Sequence, residues 1–247
     1  MKNQILAKSS FWGKMTFAVL MLLCATTFAN AQGITFGQFQ QRLINEQTLR
    51  DFQLDNNTAS ATFRTVNTGS PVLFQYQNVG GLPAELAGPQ EAHIFITCPT
   101  NAPATQGFGT TTLVQPFNQT CTIQILRDTA SSAGTGGGSR TNLLTAIITP
   151  SSTSARIQGE IGADSGGFAA STPNQNVTYT SDFLFFGNDA AGSRNLGLSF
   201  SAITPGIFLG PGGFMNSFAA NATGTFASST TPSYFPPTAA GSLISGR

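Results

Sequence analysis

Past residue 31 the chain has no lysine and no tryptophan. Over its whole length it has one histidine, three cysteines and only 9% charged residues. Each scarcity removes a class of function. Without lysine, the Lys–Asn crosslinks that stiffen some surface adhesins cannot form. Eight arginines face ten carboxylates after residue 31, leaving a net charge close to −2. No basic patch is available to displace counterions from a phosphate backbone, so nucleic acid is not an expected partner. Any imidazole catalysis would rest on His93 alone, and no second pair of Cys or His residues exists to complete a metal site. No cofactor and no metal ligand set is therefore expected.

The lysines and the tryptophan that do occur, Lys2, Lys8, Lys14 and Trp12, sit in the first fourteen residues. The apolar run 17–24 follows, and then Ala29-Asn30-Ala31. This is the three-part layout of a secretory signal peptide over residues 1–31, with cleavage expected before Gln32. The run is too short for a membrane span, which needs about 20 apolar residues. Leu23, directly before Cys24, is too bulky for the usual lipid-modification site.

The mature chain is dominated by neutral polar residues and phenylalanine. Segments 34–39, 61–66, 72–77, 92–98, 121–126, 143–148, 155–161, 177–186, 196–202 and 214–226 alternate apolar and polar residues as half-buried strands do. Loops are expected at 78–89, 99–109, 133–138, 187–193 and 206–213, where Gly, Pro and Asn gather. No βαβ spacing appears. Segment 40–51 is left between helix and loop, because Leu43, Ile44 and Leu49 fit a 3.6-residue period poorly. The expected fold is all-β, an antiparallel two-sheet, jelly-roll-like sandwich over residues 32–227. The Ser/Thr/Pro-rich residues 228–247 read as a flexible tail.

Only Cys98 and Cys121 remain after the signal peptide, and an even count in an exported chain argues for a disulfide. Alternation places Ala92, Ile94, Ile96 and Cys98 on one face of one strand, and Cys121, Ile123 and Ile125 on one face of another. Both thiols should enter the same core.

Catalytic patterns are weak. His93, Asp128 and Ser165 occur in the order used by trypsin-like proteases, and 163–167 resembles their nucleophile loop. The His–Ser spacing is far too short for that fold, and Ala163 stands where the loop needs glycine. Residues 163–167 read as a Gly-rich turn, and His93 as an outward-facing strand residue between Glu91 and Phe95. Glu160, Asp164 and Asp182 are the candidates for a glycosidase carboxylate pair, which no motif defines. Asp55-Asn56-Asn57 and Asn188-Asp189 offer oxygens without a calcium-loop spacing. The sequons at Asn56, Asn118, Asn176 and Asn221 are as many as composition alone produces. Tyr76, Tyr179 and Tyr234 are the only tyrosines available to stack on sugars. No catalytic residue is assigned.

Five stretches resemble the exported domains of bacterial PEP-CTERM proteins, which exosortase sorts to the cell surface or matrix: 34–39, 71–76 with 81–90, 143–161, 179–184, and 198–202 with 213–226. The resemblance implies an extracellular β domain, secreted or surface-bound with the periplasm as the alternative. Its implied partners are extracellular polysaccharide or other surface proteins. It stops short of the C-terminus, where the family has a Pro-Glu-Pro signal, an apolar helix and a basic cluster. Residues 235–247 match none of these, and no stable membrane anchor is expected in the mature chain. A structural or matrix-associated role leads, with carbohydrate binding and then glycoside hydrolysis as alternatives.

Overall fold

A computed structural model describes residues 33–42, 50–131, 133, 139–150, 155–172, 176–187 and 193–235. The expected signal peptide lies outside these residues, as do most of the undecided segment and the Asn188-Asp189 pair. Among the described residues sixteen strands follow one another: β1 (Ile34–Gln41), β2 (Phe52–Asn56), β3 (Ala61–Thr65), β4 (Ser70–Tyr76), β5 (Gln90–Thr100), β6 (Thr105–Gln106), β7 (Thr112–Phe117) and β8 (Cys121–Ser131), then β9 (Arg140–Thr149), β10 (Ala155–Glu160), β11 (Gly166–Ser171), β12 (Asn176–Thr180), β13 (Leu184–Phe185), β14 (Arg194–Thr204), β15 (Phe218–Ser228) and β16 (Ser233–Tyr234). All pairings are antiparallel, and the expected all-β, sandwich-like fold is the one observed. Among the described residues no helix is long and apolar enough to cross a membrane.

Fourteen strands form one sheet. One wing runs β12-β9-β8-β5 and the other β15-β14-β11-β10-β7-β6. Between the wings the sheet divides. The first half of β5 pairs with β4 and its second half with β3. Likewise β15 pairs with β2 through Phe218–Ala220 and with β1 through 223–228. The ribbons β1–β4 and β2–β3 therefore lie side by side in the middle of the sheet. A fork interrupts the backbone ladder, and buried amides left without a ladder partner need another acceptor. Side chains supply it. Ile96 N–H donates to Thr65 Oγ1 at 3.1 Å and Ala222 N–H to Gln41 Oε1 at 3.3 Å, and at an exposed position Arg50 N–H donates to Asn221 Oδ1 at 3.2 Å.

The two wings fold face to face over a core rich in phenylalanine. From β3, the Phe63 ring meets Phe168 of β11 at 5.6 Å and Phe200 of β14 at 5.3 Å. From β1, Phe36 meets Tyr179 of β12 at 5.2 Å. Phe36, Phe52, Phe63, Phe74, Phe117, Phe168, Phe183 and Phe226 are all fully buried. Burying one such ring stabilises the fold by about 1.5–3 kcal/mol relative to leaving it in water. The tyrosines close gaps between the layers: Tyr76 OH donates to the Leu143 carbonyl at 2.8 Å, and Tyr179 OH to that of Asn195 at 2.6 Å. Burial pushes both phenols well above their ordinary pKa, so they stay donors.

Three differences from the sequence reading have local causes. The expected strand 177–186 breaks after Thr180, because Ser181 Oγ accepts the N–H groups of Phe183 at 3.0 Å and Leu184 at 3.3 Å and turns the chain. Strand β15 starts at Phe218 rather than at 214, since Phe214 and Met215 are buried from a loop. The tail expected from Ser228 is part of the fold as far as Phe235. Ser228 is buried as the last residue of β15, and Ser229 N–H donates to the Ser193 carbonyl at 2.8 Å. Ser233 and Tyr234 pair with β13. Residues 236–247 lie outside the described residues.

Candidate functional site

Cys98 and Cys121 face each other across β5 and β8. The neighbouring register pair Thr97↔Thr122 places them opposite, with Cα atoms 4.2 Å apart and both side chains fully buried. This is the close, non-hydrogen-bonded kind of antiparallel pair, within disulfide-bonding distance.

His93 points outward from β5, as alternation requires, and its Nδ1 lies 2.6 Å from Asp128 Oδ1. Arg42 joins them, 3.0 Å from Glu91 and 3.5 Å from Asp128. The third member of the protease-like order is elsewhere: Ser165 sits in the turn between β10 and β11, strands that pair with neither β5 nor β8. Two parts of that order meet as a surface ion cluster, a kind of contact worth at most about 1 kcal/mol. Among the carboxylates, Asp182 Oδ2 accepts the N–H groups of Thr141 at 3.2 Å and Asn142 at 2.9 Å, so it fastens the start of β9. Glu160 and Asp164 both lie exposed at the β10–β11 turn.

That turn belongs to a larger assembly at one end of the sandwich. The β6–β7 turn (107–111), the β10–β11 turn (160–165) and the β14–β15 loop (205–217) are laced together by backbone hydrogen bonds. Ile161 N–H donates to Thr111 O at 2.8 Å, Gly162 N–H to Ile207 O at 2.7 Å, and Ile207 N–H to Ala163 O at 3.1 Å. Within the long loop, Phe208 N–H donates to Asn216 Oδ1 at 2.6 Å, and Asn216 N–H returns to the Phe208 carbonyl at 2.9 Å. From β2, Asn56 Nδ2 donates to the carbonyls of Pro211 at 3.0 Å and Met215 at 3.2 Å. From β7, the fully buried Gln115 accepts the Met215 N–H at 2.9 Å. Gly212, at φ +70°, passes so close to the β2–β3 turn that an added Cβ would lie 1.8 Å from the Thr58 carbonyl oxygen.

This framework holds apolar side chains out in water. Phe108 is wholly exposed on its turn, while Leu209 is 58%, Phe208 42% and Ile161 39% exposed. A Cβ added at Gly206 would lie 3.1 Å from the Phe208 ring and 3.4 Å from the Ala163 carbonyl oxygen, so the loop and the β10–β11 turn approach closely there. The three segments that carry these side chains are thus tied to one another. Among residues 107–111, 160–165 and 205–217 the only charged side chains are Glu160 and Asp164.

The sequence reading placed Asp164 in a Gly-rich turn and Glu160 near the end of the strand 155–161, and it did not single out Phe108, Phe208 or Leu209. The signal was there: Phe108 stands between two glycines, and Phe208 within a Gly/Pro-rich loop, where a large apolar residue has no strand to bury it. No family model, curated protein or solved structure matches the chain.

Proposed function

We propose that this chain is an exported, matrix-associated protein of the cell exterior, without catalytic turnover, that attaches to extracellular polysaccharide through its loop end. The observation that carries the reading is the rigid display of Phe108, Phe208, Leu209 and Ile161 on three cross-braced turns. A protein spends stability to hold apolar side chains in water only where something covers them, and such patches mark interaction sites. Phenyl faces can lie against sugar rings, while Glu160 and Asp164 at the rim can accept hydrogen bonds from hydroxyl groups. The cross-strand Cys98–Cys121 pair and the leader-like first 31 residues support export. The resemblance to exosortase-sorted matrix proteins points the same way.

The test is co-sedimentation of the purified protein with insoluble neutral polysaccharides, comparing wild type with Phe108→Ala/Phe208→Ala. Binding that falls more than tenfold in the variant, with unchanged thermal unfolding, supports the proposal. Equal binding by both proteins, or release of soluble sugar that stops in Glu160→Gln or Asp164→Asn, would overturn it, the second result in favour of a glycoside hydrolase.

A further inference from the structure

Strands β13 and β16 form a two-stranded sheet that is not part of the main one. Its ladder is only two register pairs long, Leu184↔Tyr234 and Phe185↔Ser233. Two contacts reinforce it: Phe235 N–H donates to the Phe183 carbonyl at 2.9 Å, and the rings of Phe185 and Phe235 meet edge to face at 5.0 Å. Beneath it lies core, since Phe183 and Leu184 are buried. Residues 229–232 join the covering segment to β15, with Pro232 buried and Tyr234 packed partly buried against the core.

A strand edge backed by core is a template for pairing, and it does not distinguish the chain's own segment from the same segment of another copy. Lifting 233–235 away breaks none of the main-sheet ladders, because β16 pairs with β13 only. A short connecting hinge favours such an exchange, because contacts strained or weak within one chain re-form without strain between two.

We propose that β13 is a strand-exchange site, and that its second occupant is the Ser233–Phe235 segment of another copy of this chain. Reciprocal exchange closes a two-fold dimer. One-way exchange, with each copy donating to the next, gives an open chain of copies. This does not depend on what the loop end binds.

Because Phe185 and Ser233 are register partners, cysteines at these positions meet only when the strands pair. Phe185→Cys and Ser233→Cys are made separately in the full chain, given tags of different size and checked for native thermal unfolding. They are then mixed under mild oxidation across a range of concentrations. The expected result is a mixed-size dimer linked through 185 and 233, increasing with concentration and suppressed by excess peptide of residues 229–247. The double variant, with both cysteines in one chain, should close on itself at high dilution and form linked dimers when concentrated. A mixture that gives no 185–233 linkage at any concentration, while the double variant closes only on itself, would overturn the proposal. So would a double variant that forms no 185–233 bond at all, which would remove the pairing on which the proposal rests.

Discussion

The Asp51 carboxylate accepts the Ser70 hydroxyl at 3.2 Å, where the sheet divides into its two ribbons. Gln41 Nε2 approaches the same oxygen at 3.5 Å, while the Gln41 side-chain oxygen takes the Ala222 amide. Burial raises the Asp51 pKa, and the bonds from Ser70 and Gln41 offset only part of that. A carboxyl whose folded pKa is raised binds its proton more tightly when folded. Its effect therefore favours the fold at low pH and turns unfavourable as pH rises from about 4, the unfolded value, through the folded one. Asp51→Asn should remove this dependence, so that the stability difference between variant and wild type shifts toward the variant between about pH 4 and pH 7. Asp51→Ala should remove the same dependence but be about 1–3 kcal/mol less stable than Asp51→Asn throughout, because Gln41 and Ser70 lose their acceptor. Denaturant melts of the three proteins across that range would decide it, and a flat Asn-minus-wild-type difference would refute the assignment.

Joining Cys98 to Cys121 closes a loop of about 22 residues, which should stabilise the fold by about 3 kcal/mol on the chain-entropy account. Cys98→Ala/Cys121→Ala should lower the melting midpoint by roughly 6–12 °C for a domain of this size. Peptide mapping without reduction should find the two cysteines linked in native protein, and two alkylatable thiols would contradict it.

A chain truncated after Phe235 keeps the β13–β16 pair and serves as the reference. Truncation after Ser229 should lower the midpoint by several degrees, because it uncovers Phe183 and Leu184 and leaves the edge of β13 unpaired. Scanning calorimetry of the two shortened chains separates these outcomes, and equal midpoints would show that β16 contributes nothing.

Gly212→Ala should cost more than about 1 kcal/mol through its positive φ and its collision with the Thr58 carbonyl. Because the clash lies in the loop that presents Phe208 and Leu209, polysaccharide binding should weaken severalfold even at temperatures where the variant is fully folded. Sedimentation binding well below the midpoint checks this, and unaltered affinity would mean that the loop's shape is irrelevant to attachment.

Strands with an unmixed alternation were legible in the sequence. The run Gln90–Thr100, with Ala92, Ile94, Ile96 and Cys98 inward, announced both β5 and the cysteine pairing. Strands β2, β7 and β11 were not, for three different reasons. Phe52 and Leu54 are too few apolar residues to establish a period. In β7 the inward residue between Leu113 and Phe117 is the polar Gln115, whose amide donates to the Ala102 carbonyl at 2.8 Å, and Pro116 suggests a break. In β11 glycine and alanine take positions where a sequence reader expects Val or Ile. The loop end was illegible as a site because it is assembled from three distant turns, and no single segment shows that these turns are hydrogen-bonded to one another. The reach of the fold to Phe235 was hidden in the same way, since Tyr234 and Phe235 find their partners on β13, far back along the chain.

The pairing of β1 with β15 has a consequence for the order of folding. As the polypeptide emerges N-terminus first, β1 has one neighbour, β4, close behind it, but its other edge stays open until residues 223–228 arrive. The ribbon β2–β3 waits for the same strand. Both halves of the fork, and with them the burial of Phe39, Phe52 and Phe226, are completed only when nearly the whole chain is out. Such distant pairing slows folding. A molecule built this way remains threadable through a narrow channel until β15 has passed, and then closes around that strand.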